Sequence, residues 1–104
     1  MRPYDYYTII DAISDLQARG FFLDFSIIVN KLLCAQEKCY LGAEEFDVLE
    51  MYSFQVDCPG RVDTVVYAIE SLSRSLNGIL LNPGSPSPTK VPPILSMKIR
   101  KFWV

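Results

Sequence analysis

The sequence predicts an α+β fold: an N-terminal helix packed on an antiparallel sheet of four or five strands, then a proline-rich tract and a short C-terminal helix or arm. Three observations predict it. Ile9, Ile13 and Leu16, joined by Tyr6, Ile10 and Ala12, recur at three- and four-residue spacing, the signature of an amphipathic helix. From Phe21 onward the apolar pattern changes to alternation in runs of aromatic and β-branched residues, which suits strands. Finally, Pro83, Pro86, Pro88, Pro92 and Pro93 cluster beside Gly84 and several hydroxyl residues, a composition that extends the chain rather than folding it.

The helix is expected over Tyr6 to Arg19, with Asp5 as N-cap and Gly20 closing it in a positive-φ conformation. Phe21, Leu23, Phe25 and Ile27 then alternate with Phe22, Asp24, Ser26 and Ile28 in a first strand. Asn30 and Lys31 can turn the chain, and 31–35 reads as the second arm of a hairpin. The mixed stretch from Glu37 to Glu45 reads as a connector, with 43–46 suited to a single helical turn. Phe46 to Val56 carries apolar residues on both parities, which predicts a strand in the middle of the sheet. After the Pro59-Gly60 turn signal, Thr64 to Ile69 is a run of strong β-formers that should pair antiparallel with it. Ile79 to Leu81 follows Asn77-Gly78 as a short fifth strand, placed at an edge by its brevity. Leu95, Ile99 and Phe102 suit a short amphipathic helix that persists only if it packs. The expected organisation is a single domain over 1–82, a linker over 83–93 and a basic arm over 94–104.

Composition excludes several functions. A chain of 104 residues with net charge −2 has no cationic surplus for nucleic acid. All carboxylates precede Asn82, whereas Lys90, Lys98, Arg100 and Lys101 follow it without any acid, so a cationic end can dock on an anionic body. No run approaches the ~18 apolar residues of a membrane span. Asp5, Asp11 and Asp15 interrupt any export signal, and the expectation is a cytoplasmic protein. Cys34, Cys39 and Cys58 are an odd set that fits reduced thiols better than a disulfide framework.

Tyr4-Asp5, Ala12-Ile13, Asp15-Leu16, Arg19-Gly20-Phe21, Asp24-Phe25, Glu45-Phe46-Asp47-Val48, Glu50, Tyr52, Phe54, 65–71 and Gly78-Ile79-Leu80 keep an order and spacing that resembles a family of small bacterial proteins of about this length. Many of them carry the name phosphoribosylpyrophosphate synthetase. The resemblance covers most of Tyr4 to Leu81 and implies the α+β body, with no established catalytic residue; the cationic tail departs from the family. The name does not fit the residues, because diphosphoryl transfer needs phosphate-cradling glycines, clustered cations and metal carboxylates. None of the five glycines stands in a phosphate-binding context.

Histidine is absent, which removes the commonest general base and the His-activated nucleophiles. Glu50 sits in parity between Val48 and Tyr52: buried there, its pKa should rise through desolvation; the simpler alternative has it facing water or paired with a cation on a neighbouring strand. Glu70 could meet Glu50 across adjacent strands as a cation site or proton-sharing pair, or remain a solvated strand residue. Three cysteines offer thiolates but no complete zinc site, and buried structural thiols are the simpler reading. Arg61, in the loop 57–64, could help hold a small anion on backbone amides, although a plain turn accounts for the same residues. Tyr4, Tyr6, Tyr7, Phe21, Phe22 and Phe25 could line a ligand pocket, but six rings around a helix–strand junction are more simply a core. Lys98, Arg100, Lys101, Phe102 and Trp103 form a possible interaction arm.

Neither a metal nor a cofactor is expected. The leading expectation is a non-catalytic interaction or regulatory module that uses an exposed sheet face and the cationic arm to hold a partner or a second copy, most simply as a homodimer. The alternative is a small-ligand-binding protein or minor enzyme built on Glu50, Tyr52 and Glu70.

Overall fold

The computed structural model of the chain describes residues 8–54, 64–83 and 92–103, with no side chain given at Pro83 or Trp103. The elements run α1 (Ile9–Ala18), β1 (Leu23–Ile28), β2 (Lys31–Cys34), β3 (Cys39–Leu41), a 3₁₀ turn (Ala43–Glu45), β4 (Asp47–Phe54), β5 (Thr64–Ser71), β6 (Leu76–Pro83), α2 (Pro93–Ile99) and a closing 3₁₀ turn (Arg100–Trp103). The class is α+β, as the sequence predicts. The sheet differs from the expected one in two respects: it has six strands, in the order β3-β2-β1-β6-β5-β4, and it is mixed, because β1 and β6 pair in parallel.

It is built from two antiparallel meanders, β1-β2-β3 and β4-β5-β6, joined by that parallel pair. The short strand Cys39–Leu41 lies inside the stretch expected as a connector, since three residues leave too little alternation to read. β6 is eight residues long and central rather than a short edge. Gly78 makes this possible: a Cβ there would collide with the Leu23 carbonyl oxygen and the Phe25 ring, so only glycine lets β1 approach. β4, expected in the middle, lies at an edge. Its two-sided apolar character arises because both faces are covered although one side is unpaired.

The link between the outermost strands curls the sheet. Five strand spacings amount to about 24 Å on a flat sheet. The six Cα steps from Leu41 to Asp47 reach at most about 22 Å, and less with a 3₁₀ turn among them. The inner face therefore wraps around a core drawn from all six strands, including Phe25, Leu32, Leu41, Val48, Tyr67 and Leu80, and α2 seals it with Ile94, Leu95 and Ile99. On the outer face α1 lies over β5 and β6, where Leu16 and Phe21 pack with Tyr52, Val66, Ala68 and Ile79.

Thr8 is the N-cap of α1, and its hydroxyl accepts from the Asp11 amide at 3.1 Å; Asp5 and Tyr6, the expected cap and first helical residue, lie outside the described residues. The C-terminus of α1 follows the expected chemistry, with Gly20 at φ +107°. The Phe21 amide donates to Leu16 O at 3.0 Å and the Gly20 amide to Gln17 O at 3.1 Å, the paired bonds of a Schellman end, with the accompanying Leu16–Phe21 apolar contact. The expected aromatic core is divided. Phe21 belongs to the α1 side and Phe25 to the α2 side, while Phe22 is exposed. Phe21 precedes β1 and is held on the α1 side by the closing bonds of the helix, whereas Phe25 points to the inner core from within the strand, and Tyr4, Tyr6 and Tyr7 lie outside the described residues.

Candidate functional site

Three features could carry function: a charged cluster under α1, an acidic recess at the β4 edge, and the open outer face of the first meander.

The charged cluster depends on a bulge. Val48 stands opposite Ile69 and Glu50 opposite Ala68, so Leu49 is the extra residue. A bulge re-aims the side chains that follow it. Val48 consequently enters the inner core, whereas Tyr52, of the same sequence parity, faces α1. Glu50 is carried with Tyr52 to the outer face, where the end of α1 supplies its partner. Arg19 Nη1 donates to Glu50 Oε2 and Nη2 to Oε1, both at 2.7 Å, and Arg19 Nε donates to Asp15 Oδ2 at 2.9 Å. The fully buried Tyr52 completes the group by donating its hydroxyl to Glu50 Oε1. The Glu50 side chain is 11% exposed.

The rise conditional on burial does not occur, and Glu50 is paired with a cation, as the simpler alternative has it, although that cation sits at the end of α1 rather than on a neighbouring strand. The hydrogen-bonded Arg19 guanidinium holds the carboxyl below its ordinary range against the upward push of burial, and the Tyr52 hydroxyl acts in the same direction as Arg19. Glu50 is an ionised, bidentate-bound anion. That chemistry fastens the end of α1 to β4, whereas a general acid would need a raised pKa.

Glu70 belongs elsewhere. It stands opposite Asp47 and lines a recess of about 320 Å³ with Glu44, Glu45, Asp47 and Ser73. Two of these acids are compensated. Lys101 Nζ lies 3.0 Å from both Asp47 oxygens, and Arg74 lies 3.4 Å from Glu45. The Gly42 amide and Arg74 hold the Glu45 pKa below its ordinary value. Among the described residues no group of three or more His, Cys, Asp or Glu side chains could hold a metal. Arg61 and the loop around it lie outside the described residues.

The cationic segment docks on its own chain. α2 buries Ile94, Leu95 and Ile99, and Phe102 packs against the same core. Lys98 Nζ lies 5.3 Å from the centre of the Phe46 ring, and Arg100 is exposed. Two hydroxyls inside, those of Tyr67 and Ser71, have no hydrogen-bond partner among the described residues. Burial pushes the Tyr67 pKa up to about 12.

The third feature is an exposed sheet face of the kind the sequence leads one to expect, on residues that the sequence did not single out. α1 covers only the β4-β5-β6 half of the outer face. On the other half Asp24, Ser26 and Ile28 of β1, Lys31 and Leu33 of β2, and Tyr40 of β3 point outward, with Ser26, Leu33 and Tyr40 in one row and Ile28 opposite Lys31. Ile28, Tyr40 and the adjoining Leu81 remain 42%, 52% and 48% exposed. Ile28, Val29, Asn30, Lys31 and Tyr40 surround a recess of about 340 Å³ at the hairpin end. Val29 there has φ 56°, an unfavourable conformation for a β-branched residue. The signal available in sequence was the polar alternation of Asp24, Ser26 and Lys31, but it marks a solvent face without showing which half of the sheet the helix leaves uncovered.

Comparison with protein-family models, with curated proteins and with solved structures found no match to this chain. No described helix is long and apolar enough to cross a membrane.

Proposed function

We propose that the protein is a non-catalytic interaction module that self-associates through the outer face of β1-β2-β3. One observation carries this reading: the half-exposed row of Leu33, Tyr40 and Leu81 lies between an acid at one end of the face, Asp24, and a base at the other, Lys31. Asp24 precedes Ile28, the register partner of Lys31, by four strand positions, about 13 Å. A second copy placed face to face about a twofold axis, with strands reversed, brings each Asp24 onto the other copy's Lys31 and apolar row onto apolar row. Lys31 makes no close ion pair among the described residues, its charge acting only at longer range on Glu45.

The Glu50 cluster supports this reading by its saturation: both carboxylate oxygens accept from Arg19, and Tyr52 adds a third donor. The C-terminal cations contribute less to a partner surface, because Lys101 already binds Asp47 and Lys98 lies over Phe46. A small patch gives a weak, concentration-dependent dimer. Light scattering over a concentration series should show the mass rising from monomer towards dimer, and Tyr40→Lys should abolish the rise while changing stability by less than about 0.5 kcal/mol. A strictly monomeric chain up to about 1 mM, where associations weaker than roughly −4 kcal/mol vanish, would reject the proposal.

A further inference from the structure

Cys34 and Cys39 are the two described thiols, and both are free. The hairpin β2-β3 sets them directly opposite each other, as the last paired residues before the loop 35–38. Directly opposed residues of an antiparallel ladder have Cα atoms about 4.5–5.5 Å apart, inside the roughly 4.4–6.8 Å window that a disulfide requires. Both side chains belong to the same face: Cys34 lies in the inner core and Cys39 packs against it. Shared face and shared ladder step are the two conditions that most pairs of cysteines fail. Burial makes the pair asymmetric, because Cys34 is fully buried while Cys39 is partly exposed. One thiol can therefore meet a solute, and the other can resolve the product.

We propose that Cys34 and Cys39 form a dithiol site that a two-electron oxidant of the peroxide class converts reversibly to a disulfide. The Cys39 sulfur attacks one peroxide oxygen, the O–O bond breaks, and the departing hydroxide takes the thiol proton to give water and a Cys39 sulfenic acid. The Cys34 sulfur then attacks the Cys39 sulfur. The S–O bond breaks, the S–S bond forms, and the second hydroxide leaves with the Cys34 proton as water. Two thiols and one hydrogen peroxide give one disulfide and two waters, the sulfurs losing the two electrons the peroxide gains. Thiol–disulfide exchange with a dithiol reductant reverses the change. The bond closes across a ladder step that already exists, so the oxidised and reduced hairpins share one register, and the site is independent of the proposed dimer.

The test is peroxide treatment of the reduced full chain, alkylation of remaining thiols, and tryptic digestion without reduction. Cleavage after Lys31, Lys38 and Arg61 places Cys34 in the peptide 32–38 and Cys39 in the peptide 39–61. The expected product is these two peptides joined, with the intact chain lighter by about 2 Da. Because the longer peptide also holds Cys58, the measurement is repeated in Cys58→Ser, where the linkage should persist, and in Cys39→Ser, where the link from Cys34 should disappear. Light scattering before and after oxidation should give the same mass. Alkylation of both Cys34 and Cys39 after peroxide treatment, persistence of the Cys34 link in Cys39→Ser, or its loss in Cys58→Ser would overturn the proposal. Reduction with a dithiol should restore both free thiols, and failure to do so would contradict reversibility.

Discussion

The two halves of the sheet are built alike and finished differently. β1-β2-β3 and β4-β5-β6 are both three-stranded antiparallel meanders, and both give their inner faces to the core sealed by α2. On the outer face they diverge. The second meander presents Tyr52, Val66, Ala68 and Ile79 to α1, while the first presents Asp24, Ser26, Ile28, Lys31, Leu33 and Tyr40 to solvent. Without a helix over them, Val66 and Ala68 would leave apolar surface in water at a cost of about 25 cal/mol per Å², so α1 settles over that half. The Glu50–Arg19 pair then fixes its end. The first meander carries enough polar groups to stand uncovered, yet enough apolar ones to reward a partner.

The contrast can be broken most severely where the halves join. Gly78→Val puts a branched side chain against the Leu23 carbonyl and the Phe25 ring, and should cost about 3 kcal/mol or more. Urea denaturation would detect it, and an unchanged midpoint would refute the close approach of β1 and β6. Arg19→Met removes the cation that binds Glu50. Both groups keep some solvent access, so the expected loss is about 2 kcal/mol rather than the full penalty of a buried unpaired charge.

Arg19→Met should also change the acid limb. The folded pKa of Glu50 lies below its ordinary value of 4.5, so this stabilisation is complete above the unfolded value and disappears as pH falls through the depressed folded one. Stability measured from pH 6 down to about pH 3 should therefore fall less steeply in the variant than in the wild type. A parallel pair of profiles would show that Arg19 does not set the titration. A smaller effect is expected of Tyr52→Phe, which keeps the ring and removes one donor to Glu50: about 1 kcal/mol by thermal or chemical denaturation.

How much of this was legible in sequence depends on the range of the interaction. The end of α1 at Gly20, the first hairpin and the β4–β5 pairing rest on local chemistry, and they are readable from neighbouring residues. The central place of β6 rests on a close approach between Gly78 and Leu23, residues far apart in the chain; Asn77-Gly78 in isolation reads as a turn signal. Glu50 and Tyr52 were identifiable as an unusual polar pair on an apolar strand. Their partner Arg19 was not, because the bulge at Leu49 changes the face that parity assigns. The (i, i+4) pair Asp15–Arg19 was a usable hint of a fixed guanidinium, although nothing local points it at β4. Glu70 was separated from Glu50 by the same register. An exposed sheet face was expected, but which half of the sheet stays open was not legible, because it is defined by where α1 does not lie.

The proposed meeting of Asp24 of one copy with Lys31 of another, across the uncovered half of the sheet, is tested most directly by sedimentation equilibrium on a charge-reversal cycle. Asp24→Lys and Lys31→Asp should each weaken dimerisation about tenfold, and the double variant should recover to within about threefold of the wild type. Equal association in all four chains, or a double variant as weak as the sum of its singles, would contradict the account.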